Sequence, residues 1–518
     1  MALNLKVPEL ADKPLIIAET RPYKISQFLD SLPMYDSLEA ATLLLEEMEI
    51  LNRQKIGPSQ RIKALETYRP TVIDICYMLS RQYSDAHLPL SEVAKTHASL
   101  AESLWLEMGY GYKLALIDQQ NKLFNLDSNK SSALVLQRII DSMGKLALVY
   151  HHTYVTPPKS LWGELYQLYN YASQESVLDV AVSADDNKKE SVDYSFKRVL
   201  LMALANPKHL PPNGIDLVAE YISLYGNLSK ITPISPIDNS AGYFLVQLNT
   251  EQAPVLYAKN SGTLDLANDK LLSVVDLVKL TLKNAKLISS GEGASIKPLS
   301  ESASDPYYLY LLKDLVKQWG AQGKRLFNRS SKTGGIELGV GVNAAHHFIL
   351  GLSEPQSDQA EQENESDVAA QLKFRTSRWQ YTNISAGGMG LRKYQNVDAK
   401  VKVGDIVSVR SNTSSGWSIG ILRWANNTDK NLDIGTQLIA PQASAVETRQ
   451  QNEDAFRPAL LLPEFPALNQ ASSIICNCGT YSPARILELK QPGKISRIMI
   501  TKLVEKTCSF ERFQFSYL

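Results

Sequence analysis

The spacing of apolar residues changes along this chain, and that change limits the folds that the chain can adopt. Up to about residue 231, apolar side chains recur every three or four positions, the period of an amphipathic helix. Leu44, Met48 and Leu51, for example, fall on one face of a helix. From residue 330 onward, short runs alternate apolar and polar residues, as β-strands do. This order predicts an α+β multidomain protein, with a helical first half and a strand-rich second half.

The helical part is predicted to be an all-α bundle or an irregular solenoid over residues 1–235. Asp36 and Glu39 form a capping box before the first long helix, and Ser91 stands at the cap position of another. Pro70 is expected to break a helix, because proline lacks a backbone donor. The helical stretches lie roughly 20 to 35 residues apart, as in helical hairpin repeats, but without a strict period.

Three further units are predicted after the helical part. Residues 236–303 have the pattern of a small mixed α/β connector domain. Residues 304–445 are expected to form one helix and a small antiparallel β-barrel, because short strands and Gly, Asn or Ser turns recur at roughly 8–12-residue spacing. Within this unit, His346 and His347 are assigned to an alternating strand. Residues 446–518 are expected to be a C-terminal β extension whose strands pack on the barrel.

Charge and composition exclude several classes of protein. The 518 residues contain 54 Lys+Arg and 54 Asp+Glu, so the formal net charge is zero, whereas a protein that coats duplex nucleic acid usually has a basic excess. No nucleic-acid partner is therefore predicted. No run approaches the about eighteen apolar residues of a membrane-spanning helix, and no signal-peptide pattern is visible at Met1. Four cysteines are no disulfide framework, so we expect a cytoplasmic protein without membrane insertion.

Two cysteines, Cys476 and Cys478, have a spacing that invites a zinc interpretation. A structural zinc site needs four ligands, and only Cys508 is a plausible third thiolate nearby. The favoured interpretation is a strand with alternating residues, and no metal site is predicted.

Two short polar motifs bracket the first strands of the predicted barrel. The first, KRLFNR, places Arg325 and Arg329 four residues apart, directly after Lys324. The second, NISAGG, forms a turn between two predicted strands. Its candidate residues are Asn383, Ser385, Gly387 and Gly388.

In order and residue type, these motifs resemble the signature of the PilZ domain, a bacterial receptor module for cyclic di-GMP. That signature is RxxxR before the first barrel strand and D/N-x-S-x-x-G between the second and third strands. Arg325 and Arg329 match the arginine pair, and the NISAGG turn matches the second motif with Asn in the permitted alternative. The resemblance covers roughly residues 322–442. The helical first half of the chain also looks similar to that of large proteobacterial PilZ proteins with an N-terminal helical region.

The spacing of the two motifs departs from the family pattern. Arg329 and Asn383 are 54 positions apart, more than one strand and a turn require. The acidic run at 352–367, which is expected to be a disordered loop, explains most of the excess. If this loop competes for the arginines in the empty state, deletion of residues 354–367 should tighten ligand binding.

The resemblance implies a cyclic di-GMP receptor or adapter. Cyclic di-GMP is a dianion with two guanines, and arginine can fork onto guanine, stack on it or pair with phosphate. Lys324 would add positive charge, Asn383 and Ser385 would offer short polar side chains, and the glycines would let a ligand approach the backbone. Ordering of the arginine segment would then change how the barrel packs against residues 1–320.

The family further implies that this change alters binding to an unidentified protein partner, in motility, pilus or surface-attachment control. The sequence contains no P-loop, no HExxH, no G-x-S-x-G and no signature of an enzyme that makes or degrades cyclic di-GMP, so no enzyme is predicted. No cofactor other than the ligand is expected.

Two other functions stay open at the level of sequence. One is a ligand-independent scaffold that uses the helical domain for protein–protein interaction and shows no nucleotide dependence. The other, weaker hypothesis is an RNA-binding barrel, since small barrels often bind single strands. The zero net charge and the few aromatic residues near the basic cluster count against it.

Overall fold

The computed structural model describes residues 3–120, 129–183, 189–257, 264–296, 299, 306–320, 328–351, 374–394, 399–411, 416–428, 430–451, 453–464 and 471–518. The helices within these ranges are α1 (Pro22–Asp30), α2 (Ser37–Asn52), α3 (Pro58–Tyr83), α4 (Glu92–Gln120), α5 (Asn129–His152), α6 (Lys159–Gln174), α7 (Val192–Leu204), α8 (Pro212–Tyr225), α9 (Val275–Ser289), α10 (Pro306–Trp319) and α11 (Val342–Ile349).

The strands within the same ranges are β1 (Val182–Ser183), β2 (Lys189–Glu190), β3 (Lys230–Pro233), β4 (Tyr243–Gln247), β5 (Val255–Leu256), β6 (Asp269–Ser273), β7 (Gly335–Val340), β8 (Ser377–Ser385), β9 (Gly388–Tyr394), β10 (Ile406–Ser411), β11 (Ser418–Asn427), β12 (Asn431–Ala440), β13 (Ser444–Gln450), β14 (Arg457–Leu462), β15 (Ser473–Cys476), β16 (Ile486–Gln491), β17 (Lys494–Lys506) and β18 (Glu511–Tyr517). The predicted α+β division is confirmed.

Helices α1–α8 form a helical domain around one apolar core. Two predicted caps are confirmed. The carboxylate of Asp36 accepts hydrogen bonds from the backbone N–H groups of Leu38 and Glu39 at 3.0 and 3.2 Å, and the Ser91 hydroxyl accepts one from Ala94 at 3.2 Å. Each cap satisfies backbone donors that lack a partner within the first turn of a helix. Among the described residues, no helix is long and apolar enough to cross a membrane.

The expected helix break at Pro70 is wrong, because α3 continues through this residue. An internal proline costs a helix about 3 kcal/mol. Tyr68 and Val72, on either side of it, are completely or almost completely buried where α3 packs against α4. Burying each such side chain contributes roughly 1.5–3 kcal/mol, so tertiary packing offsets the loss.

A small antiparallel sheet follows the helical domain, with strand order β3-β6-β4-β5. Helices α9 and α10 pack against each other beside it. Helix α10 is tied to the helical domain by the Trp319 indole, which donates to the backbone oxygen of Leu201 at 3.2 Å. The end of α10 therefore has a fixed position relative to the helices.

Strands β7–β12 close into a barrel, called here the middle barrel, with the order β10-β11-β12-β9-β8-β7. All its strand pairs are antiparallel, and β10 completes the circle by pairing with β7. Its core, which includes Trp379 and Leu391, is continuous with that of the helical domain. The middle barrel and the helices are therefore packed as one body.

The assignment of His346 and His347 to a strand is wrong. Strand β7 ends at Val340, Gly341 adopts φ 95°, and the histidines lie in α11. Glycine tolerates this left-handed backbone, which redirects the chain out of the strand. The apolar side chains of Val342 and Ala345 then share a core cluster with residues of both barrels.

Strands β13–β18 are the extra C-terminal strands that the sequence predicts. They form a second closed barrel, the C-terminal barrel, in the order β13-β14-β15-β18-β17-β16. It has its own core, which includes Val446, Ile474, Leu487 and Phe513. Closure removes the exposed strand edges that an open extension would present.

The helical domain and the middle barrel are also joined by backbone hydrogen bonds. Leu88 and Val401 form an antiparallel bridge with N–H···O distances of 2.8 and 3.1 Å. The N–H of Asn427, at the end of β11, donates to the carbonyl of Tyr154 at 2.9 Å. These contacts fix the face of the barrel that carries β11 and β12 against the helices.

Candidate functional site

The NISAGG motif forms the tip of the β8–β9 hairpin. Ser385 is the last residue of β8 and pairs with Gly388, the first residue of β9, while its hydroxyl donates to the Gly388 carbonyl at 3.2 Å. Asn383 pairs with Gly390, and its amide donates to the Thr382 hydroxyl at 3.1 Å. Asn383, Ser385 and the two tip glycines are partly exposed, so the polar groups of the tip are open to a ligand.

Gly388 lies where β12 crosses very close to the hairpin. A Cβ at this position would lie 2.2 Å from the carbonyl oxygen of Thr436 and 3.2 Å from the Cα of Gln437. The neighbouring Gly387 accepts a hydrogen bond from the Leu438 N–H at 3.0 Å. The close approach that the sequence predicts at this glycine is therefore made by strand β12 of the barrel itself.

Gly390 is a residue that the sequence interpretation missed. A Cβ there would lie 2.5 Å from the Thr382 hydroxyl and 2.7 Å from the Asn383 amide nitrogen. The missing side chain lets Asn383 lie across the hairpin. The available signal was the sequence GGMG at 387–390, which begins with the last two residues of the motif. Glycine at alternate positions, 388 and 390, leaves one face of the strand without side chains.

The arginine segment meets the hairpin at its described end. Lys324 and Arg325 lie outside the described residues, whereas Arg329 is described and exposed. The next residue, Ser330, forms an antiparallel bridge with Ile384, with two N–H···O hydrogen bonds of 2.9 Å. Ile384 lies between Asn383 and Ser385 in the chain. The bridge therefore brings Arg329 beside the second motif, although 54 positions separate Arg329 from Asn383.

A cation–π contact holds the chain that follows this bridge. The Lys332 ammonium lies 4.3 Å from the ring centroid of Tyr381, which belongs to β8. Such contacts contribute about 0.5–1 kcal/mol at exposed sites. Lys332 is thus held against strand β8 of the barrel.

A cleft of about 570 Å³ opens next to the hairpin. Its walls come from α10, from the turn that precedes α8, from β11 and β12, and from β17 of the C-terminal barrel. Gln437 on its wall pairs directly with Gly388 across the β9–β12 ladder. Since paired strands lie about 4.8 Å apart, this wall of the cleft borders the hairpin tip.

Arg423 lies on the wall of the cleft and has fixed partners. Its Nε donates to the side-chain oxygen of Gln437 at 2.7 Å, and its two terminal nitrogens donate to the carboxylate of Glu505 at 2.5 and 3.1 Å. Lys313 and Lys317 of α10 line the same cleft. The sequence did not identify Arg423 and Gln437 as site residues, because they come close to the NISAGG motif only through strand pairing.

The pKa of His209 reports the electrostatics of this region. Partial desolvation in the cleft, followed by the positive charges of Arg329 and Arg423, lowers this pKa to about 4. His209 is therefore neutral at pH 7, and both arginines are close enough to act on it. Arg329 and Arg423 both raise the positive potential at His209, although Glu505 pairs with Arg423.

Acidic groups oppose this positive charge in part. Burial raises the pKa of Asp314 on α10, although Lys317 and Arg423 act in the other direction.

Within the described ranges, no group of three or more His, Cys, Asp or Glu residues is placed to hold a metal ion. The Cys476–Cys478 pair lies in and just after β15, with Cys476 buried and Cys478 exposed.

Three family models match the chain and together cover most of it. Residues 23–236 match the N-terminal domain of the cyclic-di-GMP receptor FimW. Residues 243–357 and 351–445 match the middle PilZ domain of the same receptor, and residues 442–518 match the FimW C-terminal β-barrel domain. Both polar motifs fall within the match to the middle PilZ domain.

One curated relative aligns over nearly the whole length. It is a protein of Pseudomonas aeruginosa described as cyclic-di-GMP receptor FimW. The two sequences are 24% identical over 575 aligned positions, which cover 99% of this chain and 93% of the relative. The alignment therefore runs through all three matched domains of this chain.

Proposed function

We propose that this chain, which belongs to the FimW family of cyclic-di-GMP receptors, binds cyclic di-GMP on the outer face of the middle barrel, beside the β8–β9 hairpin. The observation that carries the proposal is the bridge between Ser330 and Ile384. The bridge brings the exposed Arg329 next to Asn383 and Ser385, which supports a site that combines cationic and short polar groups.

The proposed contacts follow from the chemistry of the ligand. Arg325 and Arg329, with Lys324 beside them, would pair with the phosphates or fork onto the guanines. Asn383 and Ser385 would donate to, or accept from, the base edges and the ribose groups. Gly387 and Gly388 are partly exposed and would offer backbone groups to the ligand, although β12 fills the space where a Gly388 side chain would lie.

The proposed consequence of binding is a change in protein–protein interaction, with no catalytic step. The middle barrel is packed against both the helices and the C-terminal barrel, so a ligand at their junction can alter either contact. The helical domain also exposes a run of apolar side chains, Leu15, Ile16 and Ile17, which suits a protein partner. We place this adapter in the cytoplasm, in the control of motility, pili or surface attachment.

Titration calorimetry of the full-length protein with cyclic di-GMP tests the binding proposal. Loss of a charged hydrogen bond costs about 1.5–3 kcal/mol, so Arg329→Ala should weaken binding roughly ten- to hundredfold. The matched control is Arg410→Ala, since Arg410 lies in β10 of the same barrel and pairs with Glu337 at 2.7 Å. Absence of heat with the wild-type protein, or equal losses in both variants, would contradict the proposal.

The adapter role needs a separate test, because a receptor can bind ligand without changing its partners. Tagged protein is used to capture partners from cell extract with and without cyclic di-GMP, and Arg329→Ala serves as the ligand-blind control. A partner set that depends on the ligand for the wild type alone supports the adapter. An identical set in all samples favours the ligand-independent scaffold.

A further inference from the structure

Arg423 has an unusual position in its strand. The register between β11 and β12 shifts between Leu422 and Trp424, so that Arg423 is the extra residue of a β-bulge. Bulges re-aim a side chain relative to a regular strand. Here the bulge turns the guanidinium along the wall of the cleft, toward Glu505 of the C-terminal barrel.

Arg423 is also next to the proposed ligand surface. Its Nε donates to Gln437, and Gln437 pairs with Gly388 at the hairpin tip. The second link is electrostatic, because Arg423 and Arg329 both lower the pKa of His209. The hydrogen bond to Gln437 therefore ties this guanidinium to the strand that pairs with the hairpin, and the shared effect on His209 agrees with that position.

The charge of Arg423 is neutralised by an acidic partner. Glu505 takes both of its terminal nitrogens in a fork–fork pair, the arrangement that a phosphate would also make. The pair is not deeply buried, since the side chains of Arg423 and Glu505 are 35% and 19% exposed. Water can reach the two groups, so the pair can exchange partners without leaving a buried charge alone.

We propose that Arg423 is a further ligand residue for cyclic di-GMP and that Glu505 of the C-terminal barrel competes with the ligand for it. On binding, a phosphate or a guanine edge takes the guanidinium donors that Glu505 holds in this structure. The negative charge of Glu505 also repels the dianion until the exchange occurs. This inference rests on the proposed function, and it deepens that proposal by linking the site to a second domain.

The exchange would loosen the contact between the two barrels without separating them. The hydroxyl of Ser509 still donates to Asp405 at 2.5 Å. The apolar cluster around α11 also joins both barrels. Cyclic di-GMP would therefore free the β17 side of the C-terminal barrel while its α11 side stays packed.

Calorimetry with cyclic di-GMP on four full-length variants tests this proposal. Arg423→Ala removes the proposed contact, and Arg410→Ala is its control, because Arg410 lies at the opposite end of the β10–β11 ladder and pairs with Glu337. Glu505→Gln removes the competing charge and keeps the shape. Its control is Glu488→Gln, because one carboxylate oxygen of Glu488 accepts two hydrogen bonds from Arg449, and both residues belong to the C-terminal barrel.

The proposal predicts opposite effects at the two ends of the ion pair. Arg423→Ala should weaken binding by about tenfold, as expected for one lost charge-assisted contact. Glu505→Gln should strengthen binding by roughly threefold or more, because the ligand no longer competes with a carboxylate. Both controls should bind as the wild type does.

Each other outcome has a distinct meaning. If the wild type binds and Arg423→Ala binds equally well, the inference is wrong while the proposed function stands. If Glu505→Gln weakens binding, Glu505 positions Arg423 for the ligand, and the competition is refuted. If the wild type does not bind, the proposed function itself fails.

A second readout follows the barrel contact directly. Hydrogen exchange of the 502–506 segment of β17 should become faster when cyclic di-GMP binds to the wild type. It should not change when the ligand is added to Arg423→Ala at a saturating concentration. Unchanged exchange in ligand-saturated wild type would refute the loosening of the contact.

Discussion

Replacement of Gly388 by alanine tests whether the hairpin tip is set by its contact with β12. The added Cβ would stand 2.2 Å from the Thr436 carbonyl oxygen, which belongs to the backbone and cannot rotate away. An ordinary contact between carbon and oxygen is about 3.3 Å, so the two strands must separate locally by about 1 Å.

The cost of this substitution can be worked from two contributions. Overpacking of a close contact costs about 1–3 kcal/mol. Separation of the strands also weakens a hydrogen bond of the β9–β12 ladder, where Gln437 pairs with Gly388, and this adds about 1 kcal/mol. The sum of about 2–4 kcal/mol is a large part of the 5–15 kcal/mol that typically stabilises a domain.

Hydrogen exchange is the appropriate assay, because a chain of several domains does not unfold in two states. If opening of the barrel governs exchange, 2–4 kcal/mol corresponds to roughly 30- to 900-fold faster exchange of β9 and β12 amides. Gly416→Ala is the control, since a Cβ there meets no described atom within 4 Å. Equal exchange rates in the two variants would refute the reasoning.

Two further predictions concern other parts of the molecule. Asp141 is buried and accepts hydrogen bonds from Arg69 at 2.6 Å and Arg198 at 3.0 Å, so Asp141→Ala should destabilise the helical domain by about 3–5 kcal/mol, seen as faster hydrogen exchange in α3, α5 and α7. Loss of the exposed Lys55 pair should change nothing measurable. Although burial opposes it, the two arginines hold the pKa of Asp141 well below its usual value. The stabilisation is therefore present at neutral pH and is lost as the pH falls below the pKa of an ordinary aspartate. Acid titration of the wild type and the variant compares the two. A thiol reagent should modify two of the four cysteines in the native protein and all four after denaturation, and modification of a buried thiol in the native state would contradict the fold. The pair expected to react is Cys478 and Cys508, and the pair expected to be protected is Cys76 and Cys476.

Local sequence patterns predicted the features that depend on neighbouring residues. The division into helices and strands follows from apolar spacing, and the caps at Asp36 and Ser91 follow from side chains that satisfy nearby backbone donors. The NISAGG turn was likewise predictable, because its strands flank it directly.

Features that depend on tertiary packing were missed or predicted wrongly. Pro70 was expected to end a helix, but burial on both sides keeps α3 continuous. His346 and His347 were placed in a strand, because the pattern gives no sign that Gly341 adopts φ 95° and starts a helix. Closure of the C-terminal strands into their own barrel depends on which strands pair, and alternation alone does not specify that.

The site shows the same division between local and distant information. The two motifs were found in the sequence, but their neighbours Arg423 and Gln437 were not. These residues join the site through a bulge and through ladder pairing with Gly388, which no short motif encodes. His209 comes from the turn before α8, and only docking of the helical domain brings it to the barrel.

A structure of the complex with cyclic di-GMP tests the central claim most directly. In this complex we expect ligand atoms within about 3.5 Å of the Arg329 guanidinium and of the Ser385 hydroxyl, on the outer face of the middle barrel. The helical domain contains a separate cavity of about 280 Å³, lined by residues that include Asp141 and Lys145. Ligand bound in that cavity, with the hairpin and Arg329 left bare, would contradict the account.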